Sequence, residues 1–273
     1  MKKLFTLLLA AAMVASFAAC GQKENGTTTP AEGNTPAANT TGKEGETKAS
    51  GKFIMATEAG FAPYEYVEGD TIIGVDVDIA QYIANELNME LEIMDVDFTN
   101  ALLAPQQNKA DFAAAGISIT EERKESMDFT IEYASSKQVI VVKKGDTSIT
   151  DEATMIAKTV GVQQGTTADL VYSDTEAYPG ATVQAYKKYL VAADDLKNGK
   201  IDCIVMDELP AQMITEQNQD LEILDVELFT DKYAFAVKKG NQELLDMINP
   251  ILQELVDSGK IEEFTKKHME NAM

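Results

Sequence analysis

From Lys52 onward the chain alternates short apolar runs with amphipathic segments. Phe53-Ile54-Met55-Ala56 reads as a strand, the loop Thr57 to Gly74 follows, and Ile79, Ile83 and Leu87 then recur at four-residue spacing on one face of a helix. Leu91 to Met94 is the next strand, Asn100 to Gln107 a helix, and Asp111 to Ala115 a third strand. Strands alternating with helices predict βαβ units and mostly parallel sheets covered on both faces, with ligand chemistry at the carboxyl ends of the strands. Glu58, Phe98 and the segment Gly116 to Arg123 all fall at such ends.

The pattern then repeats. Gln138 to Val142 is followed by Lys143-Lys144-Gly145, and Tyr233 to Val237 by Lys238-Lys239-Gly240. Between these copies lie strands at Thr159 to Gln163, near Thr182 and at Ile201 to Met206, with helices from about Ala168 and from about Val191 to Asn198. Asn108-Lys109-Ala110-Asp111 enters one strand as Gly199-Lys200-Ile201-Asp202 enters another, which argues for two lobes of similar construction. At the C-terminal end Leu244, Ile248, Ile251 and Leu255 form one apolar stripe, interrupted by Pro250, with Gly259 as its cap and a short helix carrying Ile261 and Phe264 beyond.

The first fifty residues follow other rules. Lys2 and Lys3, an apolar run from Leu4 to Ala19 and then Cys20 read as an export signal, too short to be a comfortable membrane span. Phe17-Ala18-Ala19-Cys20 resembles a bacterial lipobox, with Phe17 where leucine is usual, so residues 1–19 are expected to be a signal peptide and Cys20 a lipidated anchor. Residues 20–50 hold no large apolar side chain and are expected to be a flexible tether. With Cys20 consumed by lipid, Cys203 has no disulfide partner and reads as a small buried hydrophobe. Neither Cys nor His recurs at zinc spacing, so neither a metal nor a cofactor is expected. A net charge of −22 disfavours nucleic acid and anionic lipid as partners.

Candidate chemistry concentrates in Ala113 to Arg123, AAAGISITEER. Free backbone N–H groups, the hydroxyls of Ser118 and Thr120 and the guanidinium of Arg123 make a receptor for a carboxylate. The same residues also fit a plain strand-to-helix turn, with Thr120 as N-cap and Arg123 paired to a neighbouring glutamate.

Several segments carry a family resemblance in order: Ala56-Thr57-Glu58-Ala59-Gly60-Phe61-Ala62-Pro63-Tyr64-Glu65, Gly74 to Asp78, Gly116 to Arg123, Met127-Asp128-Phe129-Thr130, Val160 to Thr167, and Asp202 to Asp207. Together they resemble the extracytoplasmic solute-binding proteins of polar amino acid ABC importers, solute-binding protein family 3, from about Gly51 to the C-terminus. Tyr64 stands where that family usually has phenylalanine, and Glu132 where it commonly has proline.

The resemblance implies a periplasmic-binding-protein-like (type II) α/β fold, with two mostly parallel sheets, a central cleft and two crossover strands. Lobe 1 would span 51–137 and 232–273, and lobe 2 would span 138–231. In the cleft Arg123 would grip the α-carboxylate of an L-amino acid with Ser118, while Thr166 and Thr167 add contacts from the second lobe. Asp207 would accept the α-ammonium, with simple N-capping of the next helix as its other reading, and Gly116 would offer its carbonyl. Phe61 and Phe98 would sandwich the aliphatic part of the side chain. Glu58, with Gln163 and Gln164, would read a polar or cationic tail. The implied protein is a monomeric, lipid-anchored receptor that serves the transmembrane subunits of an ABC permease and is not an enzyme. The rival is an enzyme on the same fold, such as a cyclohexadienyl dehydratase, with Glu58 and Asp207 as acid and base.

Overall fold

The computed structural model describes residues 51–271. The expected signal peptide, the lipidated Cys20 and the tether lie outside the described residues.

Two sheets of matching construction organise the fold. One runs in the order Glu90–Asp95, Lys52–Thr57, Phe112–Ala113, Ala236–Lys238, Met127–Phe129. The other runs Thr182–Tyr186, Thr159–Gln163, Cys203–Asp207, Ala134–Lys143, Leu221–Ile223, with Thr230–Tyr233 also paired to the long Ala134–Lys143 strand. In each sheet the strands of the βαβαβ run take the spatial order second, first, third, and pair in parallel. The neighbour on the far side of the third strand is antiparallel, because it belongs to chain passing between the lobes against the direction of that run. Each sheet is therefore mixed, parallel on one side and antiparallel on the other.

The repeated sequence elements have matching physical roles. The Asp111 carboxylate accepts the Ile54 N–H at 2.7 Å, and that of Asp202 accepts the Thr159 N–H, also at 2.7 Å. Each thus ties the start of a third strand to the first strand beside it. The N–H of Gly145 donates to Glu222 and that of Gly240 to Asp128, closing the turns after the two Lys-Lys-Gly copies.

The expected strand Tyr233 to Val237 is broken. Thr230–Tyr233 pairs with the crossover part of Ala134–Lys143, and Ala236–Lys238 with the first sheet. Between them Ala234 donates to the Ile117 carbonyl and Phe235 to Thr130, where the chain changes partners. The near-continuous apolar runs reflect cover on both faces. Ile140, Val142, Val160 and Val205 pack on one side of the second sheet, and Val139, Val141, Ile204 and Met206 on the other. Cys203 is buried among the former, its thiol pushed up to about 12 chiefly by desolvation, as suits a small hydrophobe.

Several boundaries differ from the periodicity. The helix expected from Asn100 to Gln107 spans Phe98–Leu103, because Asp97 caps it through the Asn100 N–H and Pro105 follows its end. The loop from Thr57 to Gly74 contains a small antiparallel meander, Gly60–Phe61, Glu65–Glu68 and Thr71–Ile73, turning at Gly69-Asp70. The Gln242–Asp257 helix continues through Pro250 and buries Leu245 and Leu252 as well as Leu244, Ile248 and Leu255. His268, on the last helix, is buried between the Tyr66 hydroxyl at 3.1 Å and Asp78 at 2.9 Å, and pins that helix to the first lobe.

Candidate functional site

Carboxyl ends of the parallel strands of both sheets converge on one cavity. Glu58 directly follows Lys52–Thr57, Gln163 ends Thr159–Gln163, and Asp207 ends Cys203–Asp207. Gly116 and Ser118 lie in the turn after Phe112–Ala113, Phe98 opens its helix, and Thr166 caps the helix Thr167–Tyr172. All of these, with Phe61, line one small cavity of about 10 Å³, roughly the room of one water molecule. A larger groove between Val67, Leu190 and Met213 lies elsewhere and carries no such set of converging charges.

At one end of the site stands Arg123. Thr120 caps the helix Glu121–Ser126 through the Arg123 N–H, so the N-cap part of the capped-turn reading holds. The guanidinium, however, turns inward instead of pairing with a glutamate. It donates to the Ser118 carbonyl at 2.6 Å and, across the cleft, to the Gly165 carbonyl at 2.9 Å. It lies 5.6 Å from the Phe98 ring centroid and is 6% exposed. Among the described residues no carboxylate comes within ion-pair distance of it. Desolvation holds its pKa below the ordinary value, opposed by Asp231 and Glu122. A buried cation satisfied only by carbonyl dipoles has strong residual demand for an anion.

Asp207 lies in the same cavity from the other lobe. Its carboxylate does not cap the helix it precedes; it accepts a short hydrogen bond from the Tyr233 hydroxyl. Burial pushes it up to about 6 against the lowering effect of that bond, and Asp231 pushes the same way as burial. Two further carboxyls lie close behind. Asp76, on the first turn of Val75–Glu86, accepts from the Gly116 N–H at 3.0 Å and the Tyr133 hydroxyl at 2.6 Å, and burial raises it to about 6. Glu65 is fully buried and pushed well above the usual carboxylate range by desolvation and then by Asp76. This acidic region therefore favours a cation in the cavity.

Gly116 has φ +54°, and a Cβ there would sit 2.7 Å from Phe61 Cε1. Glycine thus lets the turn pass under the aromatic ring while Asp76 holds its N–H.

A family model of the bacterial extracellular solute-binding proteins, family 3, matches residues 53–271. The chain belongs to that family. It is 30% identical over 270 residues to the arginine-binding extracellular protein ArtP of Bacillus subtilis, covering 98% of each chain. AbpA, an amino acid ABC transporter substrate-binding protein of Streptococcus pneumoniae solved with L-arginine, superposes with a TM-score of 0.76. That match has 31% identity and covers 81% of this chain and 95% of that one. An ancestral arginine-binding protein bound to glutamine gives a TM-score of 0.74 at 34% identity, over 79% and 96% of the two chains. Membership in this extracellular family places the folded part outside the cytoplasm.

Measured against the family resemblance, Glu58, Phe61, Phe98, Gly116, Ser118, Gln163, Thr166 and Asp207 share the cavity wall. Arg123 stands just behind it, over Phe98 and bonded to Ser118. Thr167 does not line it, because its hydroxyl donates to Asp231 at 2.7 Å. The Thr166 hydroxyl is likewise engaged, donating to the Gln163 carbonyl and capping its helix. The Gln164 carbonyl lies 3.5 Å from the Thr99 hydroxyl of the opposite lobe. Tyr64, the family's usual phenylalanine, is buried edge-on to Tyr233, and Glu132 pairs with Lys232 at the surface.

Sequence reasoning missed Glu65, Asp76 and Lys188. For Asp76 a signal existed: an acidic residue between Val75 and Val77 in the first turn of a helix covered by core. Lys188, half of a Lys-Lys pair ahead of a helix, carried none.

Proposed function

We propose that this chain is a receptor that binds one L-amino acid with a polar or cationic side chain between two lobes and hands it unchanged to an ABC importer. The observation that carries the reading is the pairing of opposite needs across one cavity. Among the described residues Arg123 is a buried cation with no anion in ion-pair reach, and Asp207 a buried carboxyl with no cation in reach. An α-carboxylate and an α-ammonium meet both needs at once, and Arg123 can take the carboxylate bidentately. Two similar proteins solved with arginine and with glutamine support the ligand class.

Lobe 1 is taken as 51–137 with 232–273, and lobe 2 as 138–231, hinged where Ala134–Lys143 and Thr230–Tyr233 run side by side. A cavity of about 10 Å³ admits an amino acid only if the lobes part and close again around it. Ligand contacts to both lobes then favour the closed form by their difference in affinity between closed and open. The permease subunits read that closed form. Cys20 is taken as the lipidated first residue that keeps a monomeric receptor at the membrane, with residues 1–19 removed. No bond of the ligand changes. A dehydratase would need Glu58 or Asp207 free to move protons, whereas Glu58 is already held by Lys188 and Gln163.

Isothermal titration against the common amino acids tests the reading. One or a few saturating 1:1 ligands are expected, and no heat from any of them removes it. Mass spectrometry of small molecules released from the denatured, purified protein identifies the natural ligand directly.

A further inference from the structure

The Glu58 end of the cavity already has a counter-ion beside it. Glu58 is 1% exposed and reaches in from the first lobe. Lys188 Nζ, from the second lobe, stands 2.9 Å from Glu58 Oε1, and Gln163 Nε2 stands 2.9 Å from Oε2. Gln163 Nε2 also donates to the Lys187 carbonyl at 2.8 Å, so the amide is oriented with its nitrogen toward Glu58. Lys188 has a side-chain exposure of 43%, so it enters from the rim with its stem in solvent and its charge over a buried carboxylate. The contact is an ion pair whose angles leave Oε1 without an aligned hydrogen bond. That oxygen retains capacity for one more donor.

Two consequences follow for a ligand side chain. A lone positive charge brought to Glu58 meets the Lys188 ammonium at the same oxygen, and the two cations repel across a partly desolvated gap. A group carrying both a donor and an acceptor meets no such conflict: its N–H faces Glu58 Oε1 and its carbonyl faces Lys188. We propose that Lys188 is a specificity-determining residue of this cleft, the built-in counter-ion of Glu58, which selects side chains pairing a hydrogen-bond donor with an acceptor, as a carboxamide does, over side chains with a lone positive charge. This inference rests on the reading of the cleft as an L-amino acid site.

Titration of L-glutamine, L-asparagine, L-arginine, L-lysine and L-histidine into the wild type and into Lys188→Ser tests it. The wild type is expected to bind a carboxamide ligand at least tenfold more tightly than arginine or lysine. In Lys188→Ser the arginine-to-glutamine affinity ratio is expected to rise about tenfold or more, while ligand-free melting falls because the buried Glu58 carboxylate loses its counter-ion. Lys188→Arg, which keeps the charge, is expected to keep the wild-type order. Tightest binding of arginine or lysine by the wild type, or a ratio unmoved by Lys188→Ser, overturns the inference while leaving an amino acid site in place. Absence of heat from every common amino acid removes the underlying reading and the inference together.

Discussion

The two ends of the cleft solve opposite problems. At the head-group end Arg123 is buried against two carbonyl oxygens and the Phe98 ring, with no carboxylate in reach among the described residues, and Asp207 is buried among the neutral side chains of Tyr233, Gln138 and Ser136. At the tail end Glu58 is contacted on both oxygens by Lys188 and Gln163. One end is left short of partners that every amino acid carries, whereas the other is nearly self-sufficient. On the proposed reading, general affinity resides at the head end, and discrimination depends on how a side chain enters an arrangement that is already balanced.

Removing the guanidinium breaks this comparison most severely. Arg123→Met is expected to lower affinity for every amino acid ligand by about a hundredfold to a thousandfold or more, the scale for loss of one partner from a buried charge pair. The ligand-free melting temperature should hold or rise, since an uncompensated buried charge leaves with it. Titration calorimetry and thermal unfolding read the two effects, and retained affinity would mean that the carboxylate is held elsewhere.

Asp207→Asn comes next, with a loss of about a hundredfold and the same split between binding and stability. Its stability arm follows from sign. The carboxyl is raised from 3.8 to about 6, so its contribution to folding is full below the unfolded value and is lost as pH rises through 6. The substitution should therefore stabilise the ligand-free protein at pH 7.5, and do so less at pH 5.

Acid should separate binding from folding in the wild type. The ammonium needs Asp207 ionised, so affinity is expected to fall about tenfold between pH 7 and pH 5. Over the same range Asp207 and Asp76 become more comfortable in the ligand-free fold. Affinity that is flat across this range would show that Asp207 is not the ammonium acceptor.

Smaller effects are expected at the other end. Glu58→Gln should weaken arginine or lysine several-fold more than glutamine, and equal losses would deny Glu58 a role in reading the tail. Gly116→Ala should cost about 1–3 kcal/mol of stability through its left-handed φ and its contact with Phe61, measurable by denaturant unfolding.

The architecture was largely legible in the sequence because its signals are local and repeated. The Asn108-to-Asp111 and Gly199-to-Asp202 entries to the third strands, and the two Lys-Lys-Gly turns, announced duplicated halves. Less legible was whatever depends on partners distant in the chain. Nothing near Tyr233 says that the strand must stop there to change sheets, since its two partners lie about a hundred residues upstream. The meander carrying Phe61 and Glu65 was hidden in strands too short for a periodicity to show. Within the site, the motif segments supply most of the cavity wall, but which partner each hydroxyl takes was not legible: Thr167 turns to Asp231. Lys188 shows the same limit, because its meaning lies in Glu58, which comes from the other lobe.

Arg123 is the only arginine in the 273-residue sequence. Growth with arginine labelled at the guanidinium nitrogens would thus place a single spectroscopic reporter in the protein, with no mutation and no attached dye. Its resonances should shift on ligand capture and stay still when a solute merely touches the surface.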